Sequence, residues 1–181
     1  VDALRPLLKG QVYGPARETI PEPFVALSEG DALDILGLRA RVLDVPGHTA
    51  GHIAYVLEAA GEPAMLFCGD TLFSAGCGRL FEGTPAQMQA SLAKLAALPG
   101  DTRVYCTHEY TLSNLRFAQA VEPDNPALAA AATRCTELRS RADITLPSTV
   151  AEELRINPFL RCSQATVVAS ARAHGARDES D

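Results

Sequence analysis

Three polar motifs in this chain each follow directly on a short apolar run, and no other feature restricts the fold as much. Pro46-Gly47-His48-Thr49-Ala50-Gly51-His52 follows residues 38–45, Gly69-Asp70 follows residues 64–68, and Thr107-His108-Glu109-Tyr110 follows residues 103–106. Runs of this length and composition read as strands. Side chains placed just past several strand ends collect at one edge of a sheet, where open α/β folds carry their chemistry. Imidazole and carboxylate are the ligands that zinc and its neighbours prefer, so the pattern predicts a metal-binding edge. The histidines are His48, His52, His108 and His174, and no clustered His-x-His-x-Asp-His run accompanies them.

The first half reads as short strands broken by turns. Residues 33–36 and 38–45 flank Gly37 as strand, turn and strand, and residues 53–57 and 64–68 flank a turn at Gly61-Glu62-Pro63. Thr84-Pro85-Ala86-Gln87 combines an N-cap Thr, a Pro suited to the first helical position and a capping-box Gln. The helix it starts is expected to reach about Leu98, with Met88, Leu92, Leu95 and Leu98 as a core-facing stripe, and to stop at Pro99-Gly100.

Beyond Tyr110 the pattern turns helical: residues 111–121, 126–142, 148–156 and 165–173, punctuated by Pro123, Pro126, Pro147 and Pro158. This predicts a sheet-based part over residues 1–110 and a mostly helical part over residues 111–181, packed on each other without a linker. The polar end at 174–181 is expected to fray.

Composition excludes several classes. With 47% hydrophobic and 21% charged residues over 181 positions, the chain is ordinary folded protein. A net charge of −6 and the lack of a basic run argue against nucleic-acid or anionic-membrane binding. No apolar run reaches the roughly 18 residues of a membrane span. Cys68, Cys77, Cys106, Cys135 and Cys162 are odd in number and include no Cys-x-x-Cys pair. A disulfide framework is not indicated, and a reducing cytoplasm is the expected location.

Each motif residue has a plainer reading. His48, projected by Pro-Gly, is either a turn histidine or a ligand, and two more candidate ligands at other strand ends favour ligation. His52, at the start of a strand, reads as a hydrogen-bonding neighbour that stiffens the loop. Asp70 is a turn former in isolation, but in a two-metal site an Asp can give one oxygen to each cation. For Glu109, an accepting neighbour and a solvated side chain remain open. Cys68 and Cys106 read as small buried hydrophobes. The Gly-rich loop at 76–83 lacks a phosphate-loop ending. Its Arg79 suits a substrate carboxylate or a surface ion pair, and these stay open.

Taken together, the 46–52 motif, Phe67-Cys68-Gly69-Asp70-Thr71-Leu72-Phe73-Ser74, Gly76-Cys77-Gly78-Arg79-Leu80-Phe81-Glu82-Gly83-Thr84 and Thr107-His108-Glu109-Tyr110-Thr111-Leu112-Ser113-Asn114 resemble hydroxyacylglutathione hydrolase, or glyoxalase II, of the metallo-β-lactamase superfamily. The resemblance runs from about Val1 to Cys162. It implies an αββα sandwich, here without its N-terminal part, followed by a helical domain that helps form a glutathione site. It implies hydrolysis of S-D-lactoylglutathione to D-lactate and glutathione by two divalent ions, zinc, iron or manganese. By position, His48 would bind the first metal, Asp70 would bridge both and His108 would bind the second. Arg79 matches a basic substrate-contacting position and Tyr110 a tyrosine that contacts glutathione. Phe81 stands where some relatives have Tyr, so a hydroxyl contact is lost.

The family's Thr-His-x-His-x-Asp-His motif would fall just before Val1, and its C-terminal Arg-x-x-Lys is not recognisable after Cys162. The expectation is therefore most of a glyoxalase II with its ends outside these 181 residues, a family-like monomer acting on a small-molecule glutathione thioester. The 181 residues alone are expected to be inactive. The alternatives are a non-catalytic remnant or binding module of the same fold, and another thioester- or persulfide-acting enzyme of the superfamily.

Overall fold

The computed structural model describes residues 2–177. Of the 174–181 end expected to fray, residues 178–181 lie outside the described residues. The chain begins with a 3-10 helix, Asp2–Leu7, and a short parallel pair, β1 (Tyr13–Pro15) with β2 (Val25–Leu27). Then come β3 (Ala32–Ile35), β4 (Leu38–Asp44), β5 (Ile53–Glu58) and β6 (Met65–Gly69), in which β3–β4, β4–β5 and β5–β6 pair antiparallel. A small hairpin follows, β7 (Leu72–Phe73) with β8 (Gly76–Cys77), then α1 (Pro85–Ala96) and β9 (Arg103–Cys106). The last part is α2 (Thr111–Val121), α3 (Pro126–Ser140), β10 (Ser148–Thr149), α4 (Val150–Ile156), a 3-10 turn at Pro158–Leu160 and α5 (Ala165–Ala173).

The main sheet has the order β10-β9-β6-β5-β4-β3, with β6 and β9 parallel. A parallel pair needs a crossover, and the hairpin plus α1 provide it. Thr84 starts α1 as the sequence requires: its side chain accepts from the Gln87 amide, and the Gln87 side chain accepts from the Thr84 amide. Met88, Leu92 and Leu95 of α1 then bury against Leu43, Val45, Ala54, Val56, Leu66, Cys68 and Val104, the alternate residues on one sheet face. Burying each such leucine contributes roughly 1.5–3 kcal/mol.

On the opposite face, Leu27 of β2 covers Val42 and Ile53, with Val25, Leu33 and Tyr55 half-buried around them. Farther across that face Phe67 is 41% exposed and stacks on Tyr105 with ring centroids 5.0 Å apart. The second core lies among the helices, where Leu115, Ala118, Leu128, Ala131, Cys135 and Ile156 gather against Ala75.

Three local expectations change. Residues 148–149 join the sheet as β10 beside Val104 and Arg103, and Thr149 caps α4 through its side chain. The α3 helix stops at Ser140, because Ala142 turns into the left-handed region at φ 61°. Within the Gly-rich loop, Gly76-Cys77 is a strand of the small hairpin.

Candidate metal centre

β4, β6 and β9 end at one edge of the sheet, and the loops beyond them carry His48, Asp70 and His108. The 46–52 loop is held by its own backbone: the Gly47 amide donates to the Thr49 carbonyl, and the Val45 amide to that of His52. Two carboxylates brace it further, as Ala50 N–H donates to Glu82 and Gly51 N–H to Glu18.

His48 Nδ1 lies 2.8 Å from the Arg79 carbonyl oxygen. A carbonyl only accepts, so Nδ1 carries the proton and Nε2 keeps the lone pair that a metal takes. The ring packs 4.9 Å from that of Phe81, which is 67% exposed.

His52 is used differently. The Asp70 amide donates to its Nε2 at 3.0 Å, so that lone pair is already occupied. Burial, and after it the neighbouring His48, push the His52 pKa down, against an opposing pull from Asp70. The loop-stiffening hydrogen bond expected of this residue is present.

Asp70 and His108 meet directly, with Oδ1 and Nε2 3.2 Å apart. Their loops are tied by the Thr107 amide donating to the Gly69 carbonyl. His108 is flanked by aromatic rings: Tyr110 stacks on it at 4.9 Å, and Phe73 stands edge-on at 6.1 Å from His108 and 5.5 Å from Tyr110. Phe73 was not foreseen as a neighbour of the site, because nothing in a Leu-Phe dipeptide marks it.

The Gly-rich loop supports this edge through close approach. A Cβ on Gly78 would lie 1.8 Å from the Asp70 carbonyl oxygen, so only glycine fits there. The Gly78 amide donates to Thr71, Phe81 to His48 and Gly83 to Gly47, pinning the loop across both others. Arg79 is exposed, and among the described residues its guanidinium has no ion-pair partner. Glu109 is exposed and accepts from the amide and hydroxyl of Thr145, with Arg139 3.7 Å away, so it is both hydrogen-bonded and in contact with solvent. Cys68 is fully buried and Cys106 partly so, and burial pushes both thiols up, Cys68 to about 12.

The donor set fits part of a metal site. One imidazole with a free lone pair and one imidazole–carboxylate pair lie on the same edge, and both donor types suit zinc, iron or manganese. Among the described residues, no group of three or more His, Cys, Asp or Glu side chains converges closely enough to hold a metal ion.

Comparison with known proteins agrees with the geometry. Residues 2–108 match the family model for the metallo-beta-lactamase superfamily, and residues 109–180 match that for the hydroxyacylglutathione hydrolase C-terminus. The chain is 61% identical over 167 residues to a hydroxyacylglutathione hydrolase of Pseudomonas aeruginosa (strain LESB58), covering 92% of this chain and 64% of that protein. It is 58% identical over 181 residues to one of Albidiferax ferrireducens, covering 99% of this chain and 71% of that protein. The chain thus spans a little under two thirds of the length of the Pseudomonas relative. Among solved structures, ETHE1 from Myxococcus xanthus superposes with a TM-score of 0.63 at 25% identity, covering 98% of this chain and 64% of that one. A metallo-beta-lactamase from Staphylococcus aureus, at 18% identity and TM-score 0.61, shares the fold over 98% of this chain and 48% of its own. By two family models that together span the described residues, and by relatives matched over most of their length, this chain belongs to the hydroxyacylglutathione hydrolase family of the metallo-beta-lactamase superfamily.

Proposed function

We propose that this protein hydrolyses S-D-lactoylglutathione and related S-2-hydroxyacylglutathione thioesters to glutathione and the hydroxy acid, and so acts in methylglyoxal detoxification. The observation that carries the reading is the meeting of Asp70 and His108 at 3.2 Å, beside His48 whose Nε2 is left unprotonated. In this reading these three residues would hold the metals, with Asp70 shared. Divalent ions held there, zinc, iron or manganese, would supply Lewis acidity for the thioester carbonyl and an acidified water. A thiolate is a good leaving group, so the chain needs no residue to protonate it.

The remaining residues position substrate. Arg79, exposed and without an ion-pair partner among the described residues, is available for a glutathione carboxylate through a two-pronged contact. Tyr110, 51% exposed, stacks its ring on His108 at the edge of the site. In this reading residues 1–110 form the catalytic part and residues 111–181 the glutathione-binding part. The reading also carries a cytoplasmic monomer. A further set of ligands has to join His48, Asp70 and His108, since these alone give each ion too few.

The test compares the 181 residues with a polypeptide extended upstream to the length of the relatives, by metal analysis and by thioester hydrolysis. The extended polypeptide is expected to hold two metals and hydrolyse lactoylglutathione, and the 181 residues to do neither. Replacing Asp70 by Ala in the extended form should lower kcat by about a hundredfold or more, as loss of a shared metal ligand and of charge stabilisation implies. Arg79→Ala and Tyr110→Phe should act mainly on KM. An extended, metal-loaded polypeptide without thioesterase activity would overturn the reading, and strong activity from the 181 residues would overturn the partial-site view.

A further inference from the structure

Behind the candidate metal centre, away from solvent, a carboxylate is buried where a small core residue would be cheaper. Glu153 on α4 has no exposed surface. Its Oε2 accepts the Ala75 amide at 2.8 Å and the Asn157 side-chain amide at 3.0 Å. Asn157, one helical turn on and equally buried, also donates to the carbonyls of Phe73 at 3.1 Å and Gly76 at 2.9 Å. The two side chains therefore take up three backbone groups of one short hairpin, β7–β8. A third side chain adds a fourth contact from α2, where Asn114 donates to the Ser74 carbonyl at 3.0 Å.

That hairpin leads straight to the site. Phe73 is the ring that stands edge-on to His108 and Tyr110. Just past the hairpin, Gly78 donates to Thr71 and rests on the Asp70 carbonyl. Ala75 holds a left-handed conformation at φ 55°, which an alanine adopts only under outside constraint, and its amide is the one that Glu153 binds.

We propose that Glu153 and Asn157 are positioning residues that clasp the β7–β8 hairpin from the helical part of the chain, fixing Phe73, Asp70 and His108, and that a proton on Glu153 keeps the clasp closed. For Asp70 and His108 the inference rests on their reading as metal ligands; for the hairpin it stands on the hydrogen bonds alone. Among the described residues neither the second oxygen of Glu153 nor the nearby Ser148 hydroxyl has a hydrogen bond of full geometry, and burial outweighs the pull of Ser148, Ala75 and Asn157 toward the charged form. The other ionisable groups acting on Glu153 are Glu152 on its own helix, Cys68 from β6, Cys106 from β9 and Cys135 from α3. Burial raises all three thiols, which stay neutral, and Glu152 adds repulsion. Burial likewise lifts Glu153 to about 7. Opening the hairpin returns the carboxyl to water and to its ordinary range, so opening becomes easier as pH rises through neutrality.

The experiment is amide hydrogen exchange on the full 181-residue chain, resolved for residues 72–78 and for α1 as an internal reference, together with zinc affinity of the upstream-extended polypeptide by competition with a chelating dye. In the wild type, hairpin exchange corrected for its intrinsic rate should rise by about tenfold from pH 6 to pH 8, the ratio expected for a group shifted from about 4.5 to about 7. Glu153→Gln keeps an acceptor for Ala75 and should flatten that rise. Asn157→Ala should speed hairpin exchange by about tenfold at pH 6 with α1 protection unchanged, and weaken zinc binding about tenfold. Should Asn157→Ala also lose α1 protection, the pH arm with Glu153→Gln decides alone. Unchanged hairpin protection in a folded Asn157→Ala, or a pH dependence that survives Glu153→Gln, overturns the clasp. Faster hairpin exchange in Asn157→Ala and a flattened pH rise in Glu153→Gln, with no zinc uptake by the upstream-extended wild type, would support the clasp and overturn the ligand reading of Asp70 and His108.

Discussion

The Asp70 amide donates to His52 Nε2 across 3.0 Å, which ties the loop carrying His48 to the loop carrying Asp70. Gly69 makes the approach possible: it sits at φ 53°, and a Cβ there would lie 2.5 Å from His52 Cε1. His52→Ala should cost about 1–3 kcal/mol by leaving the amide unpartnered. Gly69→Ala should cost at least as much through clash and backbone strain. Because the clash is with His52 itself, the double variant should be less destabilised than the sum of the singles, by about 1 kcal/mol or more. Urea unfolding of the four proteins measures this, and strict additivity would refute the contact.

Glu153 predicts an unusual pH dependence of global stability. Its carboxyl is raised in the folded state, to about 7 from 4.5, so folding favours the protonated form. Stability is therefore full below pH 4.5 and is lost as pH rises through 7, by up to about 3 kcal/mol. Glu153→Gln should remove that decline and unfold at a higher urea concentration than the wild type at pH 8. Unfolding curves at pH 5 and pH 8 for both proteins check the crossing.

Arg161 and Glu122 form a two-pronged pair, Nε to Oε2 at 2.7 Å and Nη2 to Oε1 at 3.0 Å, with the Thr166 hydroxyl donating to the same carboxylate. The pairing with Arg161 holds Glu122 below its usual carboxylate range, so this contribution is present above pH 4.5 and fades as pH falls. Arg161→Ala strands a carboxylate that is only 4% exposed and should cost about 3–5 kcal/mol at pH 7. The double variant Glu122→Gln with Arg161→Met should recover much of that loss, which thermal unfolding at pH 7 reads directly.

Leu36 offers a stabilising change. It is 97% exposed and sits at φ 54°, followed by Gly37 at φ 79°, in the two-residue turn between β3 and β4. Two consecutive positive φ angles are the requirement of a type I′ turn, for which Asn-Gly is favoured over Leu-Gly. Leu36→Asn should raise stability by about 1 kcal/mol; an unchanged or lower melting temperature would count against this assignment.

Much of the scaffold was legible because its signals are local. The apolar runs at 53–57 and 64–68, the turn at Gly37 and the capping box at Thr84 each lie within a few residues, and the chain folds there as they dictate. The α2 and α5 spans match their periodicity for the same reason. Ser148-Thr149 was not legible as a strand, since its partner is a β9 edge more than forty residues earlier. Glu153 and Asn157 carry no local signal of burial in the sequence, yet they are buried against a hairpin. The hydrogen bond from Asn157 to Phe73 joins residues 84 positions apart.

The sequence by itself thus determined the strands, the caps and the residue types offered at strand ends: His48, Asp70 and His108. Only the tertiary structure decided that Asp70 pairs with His108, that His52 spends its lone pair on a backbone amide, and that a buried Glu–Asn pair braces the edge from behind. Periodicity and capping are properties of neighbouring residues. Convergence depends on which distant strands end side by side and on which polar groups lose their water when they do.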